Sequence, residues 1–236
     1  MAFVGTVWAF FTLFLLKKRE FDLVKSGANI QEQFDVGLFH LPWNRILVGE
    51  KLTLELVKDA ASHFSGEKEK LKNWYADTGD APYPLDVLLC QRANLVWDWR
   101  LRINYSKIIA FITVVFLITT IVFAFYTNQT LINYILGILV PSSAAIIQGS
   151  EVSKTHYEIG KEKQDKERVI SDIFEEARFE LKSVDIILCR SIQDFIYTTR
   201  VNSPLIPDWY YNLYQKQFER DMRAAVADLT SANDGF

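Results

Sequence analysis

Apolar residues run without a single charge through positions 108–126 and again through 131–149, separated only by Thr127-Asn128-Gln129-Thr130. Each run is about 19 residues, which as helix covers roughly 28 Å, close to the ~30 Å of bilayer hydrocarbon. So short a polar link leaves the chain room only to turn back, and the pattern predicts one transmembrane helical hairpin over 108–149. A third apolar segment, residues 1–16, stops abruptly at Lys17-Lys18-Arg19.

The remaining sequence reads as helix and loop. Leu54, Val57 and Ala61 share one face of a helix over 53–64 that Gly66 ends, and 68–75 is a short charged helix candidate. Residues 77–84 form a loop by their Gly, Pro and Asp content. From Leu85 the helical pattern continues without a breaker through Arg102 into the hairpin, so the chain is expected to enter the membrane as one continuous helix. After the hairpin, Glu151 to about Thr199 contains no proline and reads as one long helix. Within it Ile170, Phe174, Ala177, Leu181, Val184, Leu188, Ser191 and Phe195 alternate steps of four and three, the spacing that closes helix on helix. The seam formed by Phe174, Leu181, Val184, Leu188 and Phe195 either packs on the 85–102 helix of the same subunit or joins subunits of a homo-oligomer. Asn202-Ser203-Pro204 ends this stretch, and 208–228 is a final amphipathic helix.

Charge orients the elements. Lys17, Lys18 and Arg19 follow the first segment, Arg100, Arg102 and Lys107 precede the hairpin, and Lys154, Lys161 and Lys163 follow it, whereas the hairpin tip is uncharged. The positive-inside rule therefore puts residues 20–106 and 150–236 in the cytoplasm, with the tip outside. This orientation puts Met1 outside, and a segment of about 16 residues is short for a span; one upstream membrane helix missing from the chain explains both. A hydrophobic fraction of 50% with 23% charged residues fits a membrane anchor on a polar helical body. The net charge of −3 argues against a nucleic-acid polymer as partner. Cys90 and Cys189 lack metal-ligand spacing and read as reduced core thiols.

No enzyme constellation is present. His40, His63 and His156 lie on unrelated elements without an HExxH pattern or paired cysteines, and Val48-Gly49-Glu50-Lys51 lacks the second glycine of a phosphate loop. Neither a metal nor a cofactor is expected. Three clusters mix tryptophan with arginine, asparagine or aspartate: Leu41-Pro42-Trp43-Asn44-Arg45, the run from Cys90 to Arg102, and Ser203-Pro204-Leu205-Ile206-Pro207-Asp208-Trp209. On a helix Gln91, Asn94 and Asp98 share a face with Arg102, and Asp98 to Arg102 is the favourable acid-before-base order. Such clusters serve either as a juxtamembrane polar core with tryptophans at headgroup level or as an anion site. For the latter, Arg45 and Arg92 would hold phosphates and Trp43 or Trp97 would stack on a base, with Asn44, Gln91, Asn94, Trp97 and Asp98 completing the candidate site.

The order LPWNRILVGEK, LKNWY, CQRANLVWDWRLR leading into a membrane hairpin, and then SPLIPDWYYNLYQ, resembles the SMODS-associated four-transmembrane family of pore-forming effectors. The resemblance covers about 34–222. It implies a role in bacterial cyclic-oligonucleotide-based anti-phage signalling, in which a nucleotidyltransferase makes a second messenger and a membrane effector permeabilises the inner membrane. This chain shows three apolar segments where the family has four, consistent with a missing upstream helix.

A lone hairpin without intramembrane charge encloses no water path, so conduction would require several subunits. Gly137 and Pro141 can kink the second run, and Ser142, Ser143 and Gln148 give it a polar stripe, making these residues the pore and hinge candidates. The sequence therefore predicts an all-α integral membrane protein of the bacterial inner membrane, multi-pass, with its C-terminus in the cytoplasm. Its expected function is a cyclic-nucleotide-responsive, oligomeric, membrane-disrupting effector. A non-conducting membrane adaptor that docks a cytoplasmic protein is the alternative.

Overall fold

The computed structural model describes residues 17–64, 66, 72–180 and 184–231. The first apolar segment, residues 68–71 of the 68–75 helix candidate and Leu181 of the expected seam lie outside the described residues. All regular structure among the described residues is helical: α1 (Lys17–Leu38), α2 (Arg45–Val48), α3 (Leu54–Ser62), α4 (Leu85–Tyr126), α5 (Leu131–Tyr134), α6 (Val140–Glu180), α7 (Ile186–Asn202) and α8 (Asp208–Ser231). A π-helical turn, Ile135–Leu139, joins α5 to α6. The chain divides into two compact units, one from Met1–Gln91 and Glu176–Ser203, the other from Arg92–Glu175 and Pro204–Phe236.

α4 is one helix of 42 residues, as the absence of any breaker after Leu85 predicts. Its upper half and the beginning of the returning helix are long and apolar enough to cross a membrane. Almost nothing in these apolar stretches is buried, which distinguishes them from core helices of a water-soluble protein. The reversal between them has a local cause. Asn128 adopts a left-handed conformation, φ 49°, while Gln129 N–H donates to the Ala124 carbonyl and Asn128 N–H to that of Phe125. This is a Schellman ending with asparagine in the position usually given to glycine. Thr130 then caps the returning helix by accepting from Asn133 N–H.

The π-helical turn falls where Gly137 and Pro141 were expected to bend the second run. Pro141 has no N–H to give the Gly137 carbonyl and its ring crowds that carbonyl, so the helix widens locally and Val140 N–H reaches back to Ile135. Ser143 spends its hydroxyl on the Val140 carbonyl of its own helix, 2.7 Å away. Thr113 and Thr119 likewise bond back to Ile109 and Val115.

Two expectations are corrected. The helix after the hairpin does not continue from Glu151 to Thr199: α6 ends at Glu180 and α7 begins at Ile186. Asp185 has extended backbone, and its carboxylate accepts from Ile187 N–H, starting a new helix. The repeat from Ile170 to Phe195 is therefore no continuous seam, and the buried face of α7 carries Cys189, Arg190, Gln193, Ile196 and Tyr197, with Leu188 and Phe195 only half-buried. The second correction concerns the charged helix expected over 68–75, whose described end is a turn. Asn73 there has φ 50°, and Tyr75 packs its ring on Phe39 and donates to Asp35.

In the first unit, α1 runs along α7 with Val36, Phe39, Leu41, Val87 and Cys189 as a core cluster. Burial and the nearby carboxylate of Asp86 push the Cys189 thiol up to about 11, and burial with Asp86 and Asp35 pushes Cys90 up to about 12. Both cysteines are free and stay protonated, the inert core thiols their spacing predicts. In the second unit, Leu101, Tyr105, Tyr210 and Phe218 form the core between α4 and α8.

Candidate functional site

Below the apolar hairpin, α4 and α6 continue side by side as antiparallel partners, and their contacts change from small residues to charges. A Cβ on Gly149 would lie 2.3 Å from the Thr113 hydroxyl, and one on Gly160 would meet Ile103. Both glycines thus lie where the two helices approach too closely for a side chain. Between them Ser153 donates to the Ser106 carbonyl at 2.9 Å. Further from the hairpin, Arg102 Nη1 donates to His156 Nδ1 at 3.2 Å, Lys163 pairs with Asp98, and Arg92 meets Glu167 at 2.8 Å and Ser171 at 2.7 Å. Arg102 also donates through Nε to Asp98, at 3.0 Å, and through Nη1 to the Pro204 carbonyl.

The buried face of α6 is therefore His156, Gly160, Lys163, Glu167, Ile170 and Phe174, again in steps of three and four. A coiled-coil seam exists, but its membrane-proximal half is polar and closes within the subunit. Apolar residues mark this seam only from Ile170 onward. The signal that would have extended it is the matching of His156, Gly160, Lys163 and Glu167 to the same spacing.

Electrostatics at the ladder follow from burial. Asp98 is desolvated, which alone would raise its pKa, but the charges and hydrogen bonds of Lys163 and Arg102 outweigh this and hold its carboxyl well below the usual range. His156 is 1% exposed; burial first, and the Arg102 charge second, lower its pKa to about 4 against the opposing pull of Asp98. Its Nδ1 accepts from Arg102, so the neutral ring carries its proton on Nε2. Tyr105 stands edge-on to this ring, 4.9 Å between centroids. A base depressed in the folded state costs stability as it is forced to charge. The full contribution is present above about pH 6.5 and is lost as pH falls toward 4. Stability should fall by about 3 kcal/mol from this group between pH 7 and pH 4. His156→Gln should flatten that slope in chemical unfolding followed by circular dichroism in detergent, and an unchanged slope would mean that the ring is already solvated.

The residues singled out from sequence are distributed over both units. Asn44 caps α2 by accepting from Leu47 N–H and donates to Asp194, while Trp43 donates its indole N–H to the Gly49 carbonyl. Arg45, on the exposed side, pairs with Glu50. Gln91 is fully buried and donates to the Cys189 carbonyl and Gln193. Asn94 is on α4 between these groups and the ladder. Arg45 belongs to the first unit, where it pairs with Glu50, and Arg92 to the second, where it pairs with Glu167. Arg92, Trp97 and Arg100 do come together, lining a small groove of about 80 Å3 with Phe218 and Asp221. There Trp97 packs edge-on to Phe218, and Arg100 lies over the Phe218 ring and pairs with Asp221 at 2.9 Å.

Sequence reasoning missed a second buried network, in the first unit. Glu32 and Asp35, both almost wholly buried on α1, receive Arg190, Gln193 and Arg200 from α7. Arg190 also reaches the Pro42 carbonyl, which ties the Leu41-Pro42-Trp43-Asn44-Arg45 cluster to α7. Acidic residues among the polar positions of α1 gave no sign of burial in the sequence. No group of His, Cys, Asp and Glu among the described residues could hold a metal.

No solved structure matches the chain. A probable CBASS effector molecule of Bacillus cereus is 34% identical over 237 aligned positions, covering 99% of this chain and 78% of that protein. The SMODS-associating 4TM effector domain matches residues 1–229, nearly the whole length, and the chain belongs to that family of effectors.

Proposed function

We propose that the protein is a membrane effector of anti-phage defence that responds to a cyclic oligonucleotide, made by a partner nucleotidyltransferase, by assembling into a membrane-disrupting oligomer of the bacterial inner membrane. The carrying observation is the continuity of α4: one helix bears the buried ladder of Asp98 and Arg102 in its lower half and a charge-free span in its upper half. An event that repositions the ladder therefore acts on the span without an intervening hinge. The membership of the family supports the setting, and the relative's designation as a CBASS effector supports the class of signal.

Conduction requires assembly in this reading, because a single hairpin with lipid-facing apolar sides offers no polar path. The π-helical turn before Pro141 provides a point at which the returning helix can bend, with Ser142, Ser143 and Gln148 on the turns that follow. For the signal, the groove of Arg92, Trp97 and Arg100 is the better site than one centred on Arg45. A phosphate there would compete with Glu167 and Asp221 for two guanidinium groups, and the indole is beside them to receive a base. Orientation follows the lysine and arginine distribution, with both polar regions and the C-terminus in the cytoplasm. The alternative adaptor reading draws on Ile46, which is fully exposed at the tip of α2 and could dock a partner.

Purified protein in proteoliposomes should release an entrapped dye when the cognate cyclic oligonucleotide is added. Arg100→Ala should weaken binding roughly thirtyfold, the equivalent of about 2 kcal/mol for a lost charged phosphate contact, while leaving insertion and helicity intact. Absence of any cyclic-oligonucleotide binding by the wild-type protein in calorimetry would favour the adaptor.

A further inference from the structure

We propose that the exposed edge of Leu205, Trp209 and Leu213 is an interfacial anchor that inserts into the headgroup–acyl boundary of the bilayer, fixing the start of α8 to the membrane surface; this rests on the reading of α4 as membrane-spanning. The depth of this edge follows from its neighbours within the second unit. The Pro204 carbonyl accepts from Arg102 at 3.0 Å, and Tyr210, wholly buried, packs on Tyr105 with 5.0 Å between ring centroids. Ile206 packs on the same cluster as Ile108 and Ile109, the first residues of the charge-free run beyond Lys107. Residues 204–210 therefore lie beside 102–109 of α4, the one to two turns that lead into the charge-free run.

From there α8 runs back along α4 away from the hairpin, with Phe218 against Trp97 and Asp221 on Arg100. At its hairpin-proximal end the outward side shows Leu205, Trp209 and Leu213, each more than 60% exposed. Leaving a tryptophan and two leucines facing water gains nothing, whereas an indole beside tyrosines at the boundary keeps its ring in the acyl region and its N–H in the headgroups. The exposed Asp208 lies at the first turn of α8, where its charge is favourable to the helix and stays at headgroup level. Lys216 and Arg220 follow further down the exposed side, on turns that face water. A second copy of the chain would need to cover an edge that is continuous with lipid-facing spans, which makes lipid the fitting occupant.

The test uses nitroxide labels on Leu205→Cys and Trp209→Cys in phosphatidylcholine–phosphatidylglycerol proteoliposomes, with Phe116→Cys and Arg220→Cys as references. Label on the wild-type chain, where Cys189 is buried and Cys90 half-buried, gives the background. Collision rates with oxygen relative to a water-soluble nickel chelate should be several-fold higher at positions 205 and 209 than at 220, and highest at 116. A lipid signature at 116 with a water signature at 205 and 209 overturns the anchor alone. A water signature at 116 as well overturns the spanning reading together with it. Low collision rates with both reagents at 205 and 209 show protein covering the edge and also overturn the anchor.

Discussion

Asp98→Ala is expected to destabilise the folded protein by about 3–5 kcal/mol, because it leaves two cations buried without their shared carboxylate. Lys163 is 4% and Arg102 9% exposed in their side chains, so neither can recover its hydration by a small movement. The Arg102 guanidinium would retain the Pro204 carbonyl and His156 Nδ1, which solvate its hydrogens without neutralising its charge. A loss of this size is a large share of the ~5–15 kcal/mol that holds an ordinary domain folded. The direction can be separated from a simple packing defect. Replacing Asp98→Leu with Lys163→Met leaves one stranded cation, Arg102, in place of two and should cost less than the single change. Chemical unfolding in detergent, followed by circular dichroism, reads both variants. A cost under about 1 kcal/mol for Asp98→Ala would mean that water reaches the ladder and that the pair behaves as a surface ion pair.

Glu32→Ala should be of similar size, about 3–5 kcal/mol, and for a more extensive reason. Glu32 is wholly buried and accepts from Arg190 at 2.6 Å through one oxygen and from Gln193 at 2.8 Å through the other. Its loss takes a carboxylate oxygen from a guanidinium and from an amide at once, leaving Gln193 with Asp35 at 3.1 Å. Asp194, at 2.8 Å from Arg190, stays as a partner but is itself partly solvated and already receives Asn44. Because Arg190 also holds the Pro42 carbonyl, the loop carrying Trp43 and Arg45 should loosen in the same variant, detectable as faster amide exchange over 41–50. The paired change Glu32→Leu with Arg190→Leu should restore much of the stability without restoring protection of that loop. Equal loss in the single and paired variants would show that packing volume, and not the charge pair, sets the cost.

The two networks share a design that bears on function. Each ties helices distant in sequence through charge pairs that have little tolerance for a shifted register, since a displacement of one residue leaves a buried cation facing a methyl group. In the second unit the register so fixed belongs to the same two helices that form the apolar hairpin, and in the proposed mechanism it is this register that a bound anion alters.

Local features of the chain determined a definite part of this structure. Charge-free runs over 108–126 and 131–149 specify helices long and apolar enough to span a membrane, because apolarity over that length is a property of contiguous residues. The turn at Thr127-Asn128 follows because asparagine tolerates the left-handed conformation a helix ending requires. The continuity of α4 follows from the absence of glycine and proline after Leu85, and the Asp98–Arg102 pair from a spacing of four on one helix. Tertiary structure decided which distant partner each charge takes: Asp98 with Lys163, Arg92 with Glu167, Glu32 with Arg190. These pairs join residues whose proximity depends on how helices align after the chain reverses, and composition carries no record of that alignment. The same reason explains why the polar part of the α6 seam, and Glu167 as the partner of Arg92, are not legible in the sequence. The break between α6 and α7 stands between the two cases: Asp185 before Ile186-Ile187-Leu188 is a local capping signal, but the length of unbroken helical pattern around it outweighed one residue until the observed hydrogen bond to Ile187 decided the boundary.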